Sequence, residues 1–249
     1  MIDTHCHLSI NDYDDIDLIV NKIRDSGVKA IIVNGCDKKS NMEVLSLVKK
    51  YDIVYGAIGF HPTELDEYSD EDLIFLEEHI NDEKIVAVGE IGLDYHYPNY
   101  DKKRQIDVFK KQLNIAKKYN KPIIVHTRDA IKDSYDILCE YNLKGSIHAF
   151  SGSLEMAHMF IKLGYYLGIG GVVTFKNAKN IINVINNISL EYILLETDSP
   201  YLTPEPFRGS KNDSSYLKYI AYKIAEIKNC DISNVVDITT SNAISLFDF

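Results

Sequence analysis

Short apolar runs rich in β-branched residues alternate with longer segments of helical period along the whole sequence. Eight such runs occur, at residues 1–8, 29–36, 53–60, 85–93, 122–127, 145–150, 165–173 and 192–197. Near-continuous apolar stretches such as residues 30–33 and 123–125 are typical of strands buried on both faces, as in a parallel sheet. A half-exposed hairpin would instead alternate apolar with polar residues. The pattern therefore predicts an α/β fold with a parallel sheet.

The segments between and after these runs have the apolar spacing of amphipathic helices. In the first of them, Ile16, Ile19, Val20 and Ile23 are spaced so that they share one helix face. The sequence predicts helices at residues 14–26, 38–51, 70–81, 102–119, 130–141, 153–163, 178–187, 214–228 and 233–247. Eight βα units within about 200 residues favour a TIM-type (β/α)8 barrel, closed by the last two helices. An open, doubly wound sheet is the alternative.

The composition fits one domain spanning residues 1–249, since 45% of the residues are apolar and no Gly/Ser/Pro-rich linker interrupts the chain. No stretch approaches the roughly 18 to 20 uninterrupted apolar residues of a membrane helix, and the N-terminus does not resemble a signal peptide. The four scattered cysteines fit neither a CxxC metal site nor a disulfide scaffold. These features predict a cytoplasmic protein with reduced, structural cysteines.

The formal net charge is -10, which argues against a protein that coats duplex nucleic acid through a broad basic face. A nucleic-acid substrate is still allowed, because cations bound in a pocket can supply local positive charge. The acidic balance thus excludes one mode of binding but not the substrate class.

The first predicted strand contains two histidines, His5 and His7, separated by one residue. Side chains alternate between the two faces of a strand, so both imidazoles point to the same side and can reach one cation. A His-x-His pair alone is a weak signal, because two histidines near a strand end are structural in many proteins. The pair therefore needs support from other strands.

Four further residues of ligand type lie at the same end of later predicted strands. They are Glu90 in the fourth strand, His126 at the end of the fifth, His148 in the sixth and Asp198 at the end of the eighth. Barrel active sites form at the C-terminal mouth from residues on several strands, so these side chains are expected to converge with the two histidines. The predicted metal ligands are His5, His7, Glu90, His126, His148 and Asp198.

Mixed imidazole and carboxylate ligands suit Zn, Mn, Co or Mg in a two-metal site, with the cations ~3.5–4 Å apart. Glu90 is the natural bridge, because each of its two oxygens can bind one ion. Without a metal, its carboxylate would be buried in an apolar strand with no compensation, which is unfavourable. We therefore expect Glu90 to be a ligand of both cations.

The motifs around these positions carry a specific resemblance. They occupy residues 3–8, 59–62, 89–95, 124–130, 148–152 and 196–202, and include Gly-Phe-His-Pro and Glu-Thr-Asp-Ser-Pro-Tyr-Leu. In this order they resemble the TatD family of metal-dependent deoxyribonucleases, a branch of the amidohydrolase-like barrels, from residue 1 to about residue 212. The resemblance implies one cation held by His5, His7, Glu90 and Asp198, and a second held by Glu90, His126 and His148.

The sequence departs from the family pattern in two places. Ala149 stands where the family usually has cysteine, and residues 208–214 (Arg-Gly-Ser-Lys-Asn-Asp-Ser) are a looser version of Arg-Gly-Lys-Arg-Asn-Glu-Pro. Neither departure touches a predicted ligand. The second bears on how closely the last loop grips substrate.

The resemblance and the metal set together favour phosphodiester hydrolysis by a water that two divalent cations activate. Asp198 is expected to orient this water and accept its proton, while Glu90 bridges the cations. His61 is expected to hydrogen-bond a phosphate oxygen or the leaving group, although Pro62 could instead fix it in a structural turn. Mg²⁺ or Mn²⁺ is the expected activating pair, with Zn²⁺ as the alternative.

Three cations are candidate contacts for the substrate. Arg128 lies two residues beyond a predicted ligand and can either clamp a phosphate or pair with Asp129 or Asp133. Arg208 and Lys211 in the last loop are similar candidates. The substrate that the resemblance implies is DNA, especially single-stranded or frayed ends degraded 3′ to 5′, with RNA as a further possibility. No membrane and no obligate protein partner is expected.

Two other classes of function are the alternatives. The same metal pair can act on a carbonyl carbon, as in hydrolysis of a lactone, an amide or an aminoacyl-tRNA ester, and barrel and ligands alone do not choose between these chemistries. A non-catalytic binding protein would predict a broken ligand set. All six ligands are intact, so we expect an enzyme.

Overall fold

The computed structural model describes residues 1–248. Within them, every one of the eight predicted strands is confirmed, at β1 (Ile2–Cys6), β2 (Ala30–Asn34), β3 (Val54–Ile58), β4 (Ile85–Asp94), β5 (Ile123–Arg128), β6 (Gly145–Ile147), β7 (Tyr165–Ile169) and β8 (Ile193–Leu195). The strands are short and buried, as their apolar sequences predicted. The seventh run was predicted too long: β7 ends at Ile169, and a 3-10 turn at Gly171–Thr174 follows it.

The predicted helices are confirmed as well. They are α1 (Ile16–Asp25), α2 (Lys38–Lys50), α3 (Asp70–His79), α4 (Lys102–Tyr119), α5 (Ile131–Leu138), α6 (Leu154–Lys162), α7 (Lys179–Asn187), α8 (Leu217–Lys228) and α9 (Ile232–Phe247). A 3-10 turn at Ser214–Tyr216 precedes α8, where the sequence predicted a continuous helix. Within residues 1–248, no helix combines the length and the apolarity needed to span a membrane.

The longest helix, α4, shows how local sequence sets these bounds. Asp101 caps its start by accepting a hydrogen bond from the Arg104 backbone N–H. Asn120 ends it in the left-handed conformation that short polar residues tolerate. One face of the helix is apolar and buried, through residues such as Val108 and Phe109.

The described chain forms two compact units. The first unit comprises residues 1–33 and 149–248, and the second comprises residues 34–148. The prediction of a single domain stays a prediction.

In the first unit, β1 pairs parallel with β2 and β7 pairs parallel with β8. The chain that follows β8 is hydrogen-bonded to β1, because the Asp198 N–H donates to His5 O at 2.9 Å and the His7 N–H donates to Ser199 O at 2.7 Å. These bonds bring the end of β1 beside the segment that carries Asp198.

In the second unit, the strands are parallel and lie in the order β3-β4-β5-β6. All ten residues of β4 are buried. Gly92 of β4 is aligned with His126 of β5. A Cβ atom at Gly92 would lie 2.0 Å from His126 O, and the φ of Gly92 is +147°, so only glycine fits this close approach.

Candidate metal centre

Three predicted ligands meet in the first unit. The Nε2 atoms of His5 and His7 lie 3.4 Å apart, as expected for residues on the same side of a strand. Asp198 Oδ1 is 3.8 Å from His5 Nε2 and 3.7 Å from His7 Nε2. The two imidazoles and this carboxylate therefore form one compact set of metal-type donors.

The buried carboxylate of Asp3 hydrogen-bonds to the segment that carries Asp198. Asp3 is fully buried and accepts hydrogen bonds from the Thr197 N–H at 2.9 Å and the Thr197 hydroxyl at 2.6 Å. Burial raises the pKa of Asp3 to about 7, because a charged carboxylate is poorly solvated there. Asn212 holds the same segment, since its side-chain NH₂ donates to the carbonyls of Thr197 and Tyr201. These bonds fix the backbone on both sides of Asp198.

Four predicted site residues lie just beyond the strands to which the sequence assigned them. His7 follows β1 by one residue and His148 follows β6 by one, whereas His61 and Asp198 each lie three residues past β3 and β8. The Asp198 backbone has a φ of +55°, a left-handed conformation that is uncommon for residues other than glycine and asparagine. Backbone pairing with β1 nevertheless continues here, because the Asp198 N–H donates to His5 O at 2.9 Å.

The second unit gathers the other predicted ligands around Glu90, which is 3% exposed. Glu90 Oε1 is 2.9 Å from His126 Nδ1, 3.5 Å from His61 Nε2 and 4.0 Å from His148 Nε2. His61, Glu90 and His126 each offer one donor atom, and these atoms all lie within 4.8 Å of one another. His61 was not among the predicted ligands, yet its position allows it to act as one.

His126 has a second carboxylate partner. Its Nε2 lies 3.0 Å from Asp94 Oδ2, and the Asp94 Oδ1 accepts from the His96 N–H at 2.9 Å. Burial alone would lower the pKa of His126, but the hydrogen bonds to Asp94 and Glu90 outweigh it and raise that pKa. Burial would likewise raise the pKa of Asp94, but its bond to His126 leaves it lowered. The contact between His126 and Asp94 therefore stabilises the protonated imidazole and the ionised carboxylate relative to their neutral forms.

Two carboxamides of α4 fix the loops that carry these residues. Gln112 accepts from the Phe60 N–H at 2.8 Å and donates to the Phe60 carbonyl at 3.0 Å. Gln105 does the same for Asp94, at 2.9 and 2.8 Å. Each carboxamide thereby satisfies the backbone of one loop residue as a neighbouring strand would. His61, directly after Phe60, is positioned by the first of these clamps.

Comparison with known proteins settles the lineage. The sequence model of the TatD related DNase family matches residues 2–248. The chain belongs to the TatD family. An uncharacterized metal-dependent hydrolase of Bacillus subtilis is 42% identical over 251 residues, which cover 99% of this chain and 98% of that protein. An uncharacterized metal-dependent hydrolase of Escherichia coli is 35% identical, covering 99% of this chain and 95% of the relative. The protein is accordingly a metal-dependent hydrolase of this family.

Solved structures confirm the fold class. A TatD homologue of Escherichia coli K12 matches with a TM-score of 0.94 at 31% identity, covering 100% of this chain and 98% of its own. A TatD-family hydrolase of Entamoeba histolytica matches with a TM-score of 0.88 at 24% identity, covering 99% and 97%. Eight parallel strands alternating with helices, together with these likenesses, establish the predicted (β/α)8 barrel over the doubly wound alternative.

Two cations that the sequence analysis named as substrate contacts have protein partners in the last loop of this TatD-family chain. The Arg208 guanidinium lies 3.8 Å from the centroid of the Phe175 ring. The Lys211 amino group donates to the Asp12 carbonyl and lies 5.5 Å from the centroid of the Tyr13 ring. Their contact with substrate stays a prediction.

Several residues around the site escaped the sequence analysis. Glu196, which is 1% exposed, accepts from the Ala149 N–H at 2.6 Å, and a Cβ atom at Gly168 would lie 2.1 Å from its carboxylate. Cys36 donates from Sγ to Glu90 Oε2 at 3.9 Å, although its sequence context suggested a purely structural thiol. Asp94 could have been found, because it is a carboxylate in the same buried apolar strand as Glu90.

Asp94→Asn is expected to weaken metal binding by about 10–100-fold, the usual cost of losing an outer partner of a metal-ligating histidine. His126 Nδ1 faces Glu90 Oε1 at 2.9 Å, and if this nitrogen binds the metal, the opposite Nε2–H donates to Asp94. Competition with a fluorescent chelator measures the affinity without any assay of activity. Asp107→Asn, an exposed carboxylate on α4, is the matched control. Unchanged affinity in Asp94→Asn would remove Asp94 from this role.

Proposed function

We propose that this protein is a metal-dependent deoxyribonuclease that removes nucleotides from single-stranded or frayed DNA ends, in the 3′ to 5′ direction. The observation that carries the nuclease proposal is the match of residues 2–248 to a family described as TatD related DNases. The relatives in Bacillus subtilis and Escherichia coli are named only as uncharacterized metal-dependent hydrolases, so the phosphodiester substrate is the proposed part.

The donor chemistry of both clusters suits divalent cations. Imidazole and carboxylate donors are those that Zn²⁺, Mn²⁺ and related ions accept, and the carboxylate of Glu90 is buried among histidines as a ligand would be. In this proposal the six predicted ligands would hold two divalent cations at the carboxyl ends of the barrel strands, and Glu90 would be shared by both. Mg²⁺ or Mn²⁺ supports turnover. When bound, such a pair lowers the pKa of water and neutralises charge on a phosphate.

The chain's own residues then divide the remaining tasks. Asp198 accepts the proton of the attacking water, because its carboxylate is partly exposed and lies beside the imidazoles of His5 and His7. His61 donates from its ring to a phosphate oxygen or to the leaving group. Its Nδ1 is held by the Thr63 hydroxyl at 2.7 Å, which orients Nε2 toward the Glu90 cluster.

A substrate panel tests the proposal. We expect chelator-treated protein to be inactive, and Mg²⁺ or Mn²⁺ to restore degradation of end-labelled single-stranded DNA. Single-stranded ends should be degraded faster than covalently closed duplex, since an acidic protein with charge -10 has no broad basic face to hold a duplex. The panel also contains RNA, a lactone, a cyclic amide and aminoacyl-tRNA.

The label position gives the polarity of digestion, and a Glu90→Gln preparation purified in parallel measures any contaminating nuclease. Full turnover without metal would overturn the metal mechanism. Faster hydrolysis of a lactone, an amide or an aminoacyl ester than of DNA would replace the nuclease with the carbonyl hydrolase.

A further inference from the structure

The loops after β4 and β5 lie side by side in the second unit. Arg128, the last residue of β5, is aligned with Asp94, and its carbonyl accepts from the Tyr95 N–H at 2.9 Å. Arg128 lies two residues beyond His126 on the same strand, so both side chains leave β5 on one side. The exposed Arg128 is therefore next to the Glu90–His126 cluster, toward the open end of the strands.

The charge of Arg128 is available for a ligand. The two carboxylates nearest in sequence are engaged elsewhere, because Asp129 Oδ2 is 2.9 Å from His96 Nδ1 and Asp133 accepts from Tyr95 and Lys102. Within residues 1–248, the structure gives the Arg128 guanidinium no carboxylate partner. The alternative that the sequence left open, a pair between Arg128 and Asp129 or Asp133, is therefore not formed.

The guanidinium instead lies 5.5 Å from the centroid of the Tyr97 ring, and Tyr97 is 54% exposed. Tyr100 is 42% exposed and stacks on Tyr95, with ring centroids 4.7 Å apart and planes at 15°. Large aromatic rings gain free energy from burial, so the open Tyr97 ring beside the Arg128 cation, with the open Tyr100 ring three residues further along the same loop, forms a surface suited to a flat partner. An Arg fork matches phosphate oxygens, and an aromatic ring matches a nucleobase.

We propose that Arg128, Tyr97 and Tyr100 form a binding surface for single-stranded nucleic acid, with Arg128 on a phosphate and a base stacked on a tyrosine. This inference rests on the proposed function and assigns its substrate-binding residues. Stacking requires an unpaired base face, so the surface favours a single strand over a duplex. Because Arg128 lies two residues from His126 on β5, a strand bound there would have a neighbouring phosphate within reach of the predicted metal ligands.

Binding of a fluorescent oligothymidylate to the full chain, followed by anisotropy in chelator buffer, tests the surface without cleavage. Arg128→Gln should weaken binding about 10- to 100-fold, the range for hydrogen bonds to a charged group. It should also reduce the slope of log affinity against log salt by about 0.7, the value for one phosphate of a single strand. Tyr97→Ala should weaken binding about 5- to 100-fold through lost stacking.

Matched controls are Arg24→Gln, an exposed arginine of α1, and Tyr222→Ala, which removes a ring that is 57% exposed on α8. Both should bind as the wild type does. Arg128→Lys should keep the salt slope while losing part of the affinity, which separates the charge from the planar fork.

Binding by Arg128→Gln and Tyr97→Ala within twofold of the wild type would overturn the surface, as would equal losses in the controls or equal affinity for a duplex. The failure of the nuclease proposal is a different result: wild-type protein that leaves labelled DNA intact with metal present, whatever its affinity for the strand.

Discussion

Glu90→Gln is expected to abolish turnover and to deplete metal more than any other single substitution in the protein. The carboxylate is buried and lies within 4.0 Å of nitrogen atoms of three histidines, so removing its charge affects every neighbouring donor. The loss of metal affinity should exceed the about 10–100-fold typical of an outer partner, because Glu90 would contact the ions directly. Elemental analysis and specific activity on one preparation measure both effects.

Comparison with His148→Ala tests the bridging role. A bridging carboxylate is shared by both cations, so Glu90→Gln should lower occupancy at both sites, whereas His148→Ala should spare the ion of His5 and His7. Glu77→Gln, a surface carboxylate paired with Lys118, controls for the loss of one negative charge. Equal depletion in Glu90→Gln and His148→Ala would contradict the bridge.

Asp198→Asn is expected to reduce turnover by about 10²–10⁴-fold, the usual contribution of a general base, while most of the metal is retained. Asparagine keeps the size and one oxygen of the side chain but cannot take up a proton. It also tolerates the left-handed backbone at this position, where φ is +55°, so the fold should be preserved.

Melting temperature, metal content and specific activity of the same Asp198→Asn sample separate a catalytic role from a structural one. Asp248→Asn is a control with the same substitution in the same backbone region, since its φ is +54° at the end of α9. If Asp198 only shaped the turn before Pro200, the variant would be less stable and nearly as active per folded molecule. Such a result would refute the assignment.

The strands and helices could be predicted because burial on two faces demands nearly continuous apolar runs, and burial on one face demands helical spacing. β4 and α4 are clear cases, the first buried throughout and the second bounded as the sequence predicted. The ends of strands were less predictable. His148 and Asp198 lie beyond their strands although the N–H of each still donates to a neighbouring backbone carbonyl, and the left-handed φ of Ala149 and Asp198 is not reported by a sequence pattern.

The metal-ligand residues could be predicted from the sequence, but the residues that hold them in position could not. His5, His7 and Asp198 come together as alternation and barrel geometry predicted. Glutamines at positions 105 and 112 look like ordinary helix residues, because their bonds are made to backbone atoms far along the chain. Among the described residues, Arg128 has no carboxylate partner because Asp129 and Asp133 pair with other residues. Those pairs depend on the three-dimensional fold and cannot be predicted from the sequence.

The hydrogen bonds of the Gln105 and Gln112 carboxamides restrict insertions and deletions in α4. Gln105 and Gln112 are separated by seven residues, nearly two turns or about 10 Å of helix. The spacing along α4 therefore fixes the distance between the two backbone segments that carry His61 and Asp94. Inserting or deleting one residue between them would rotate one carboxamide by about 100° and release one loop. Changes of length between Gln105 and Gln112 should therefore be rejected, because each would release the loop of His61 or that of Asp94.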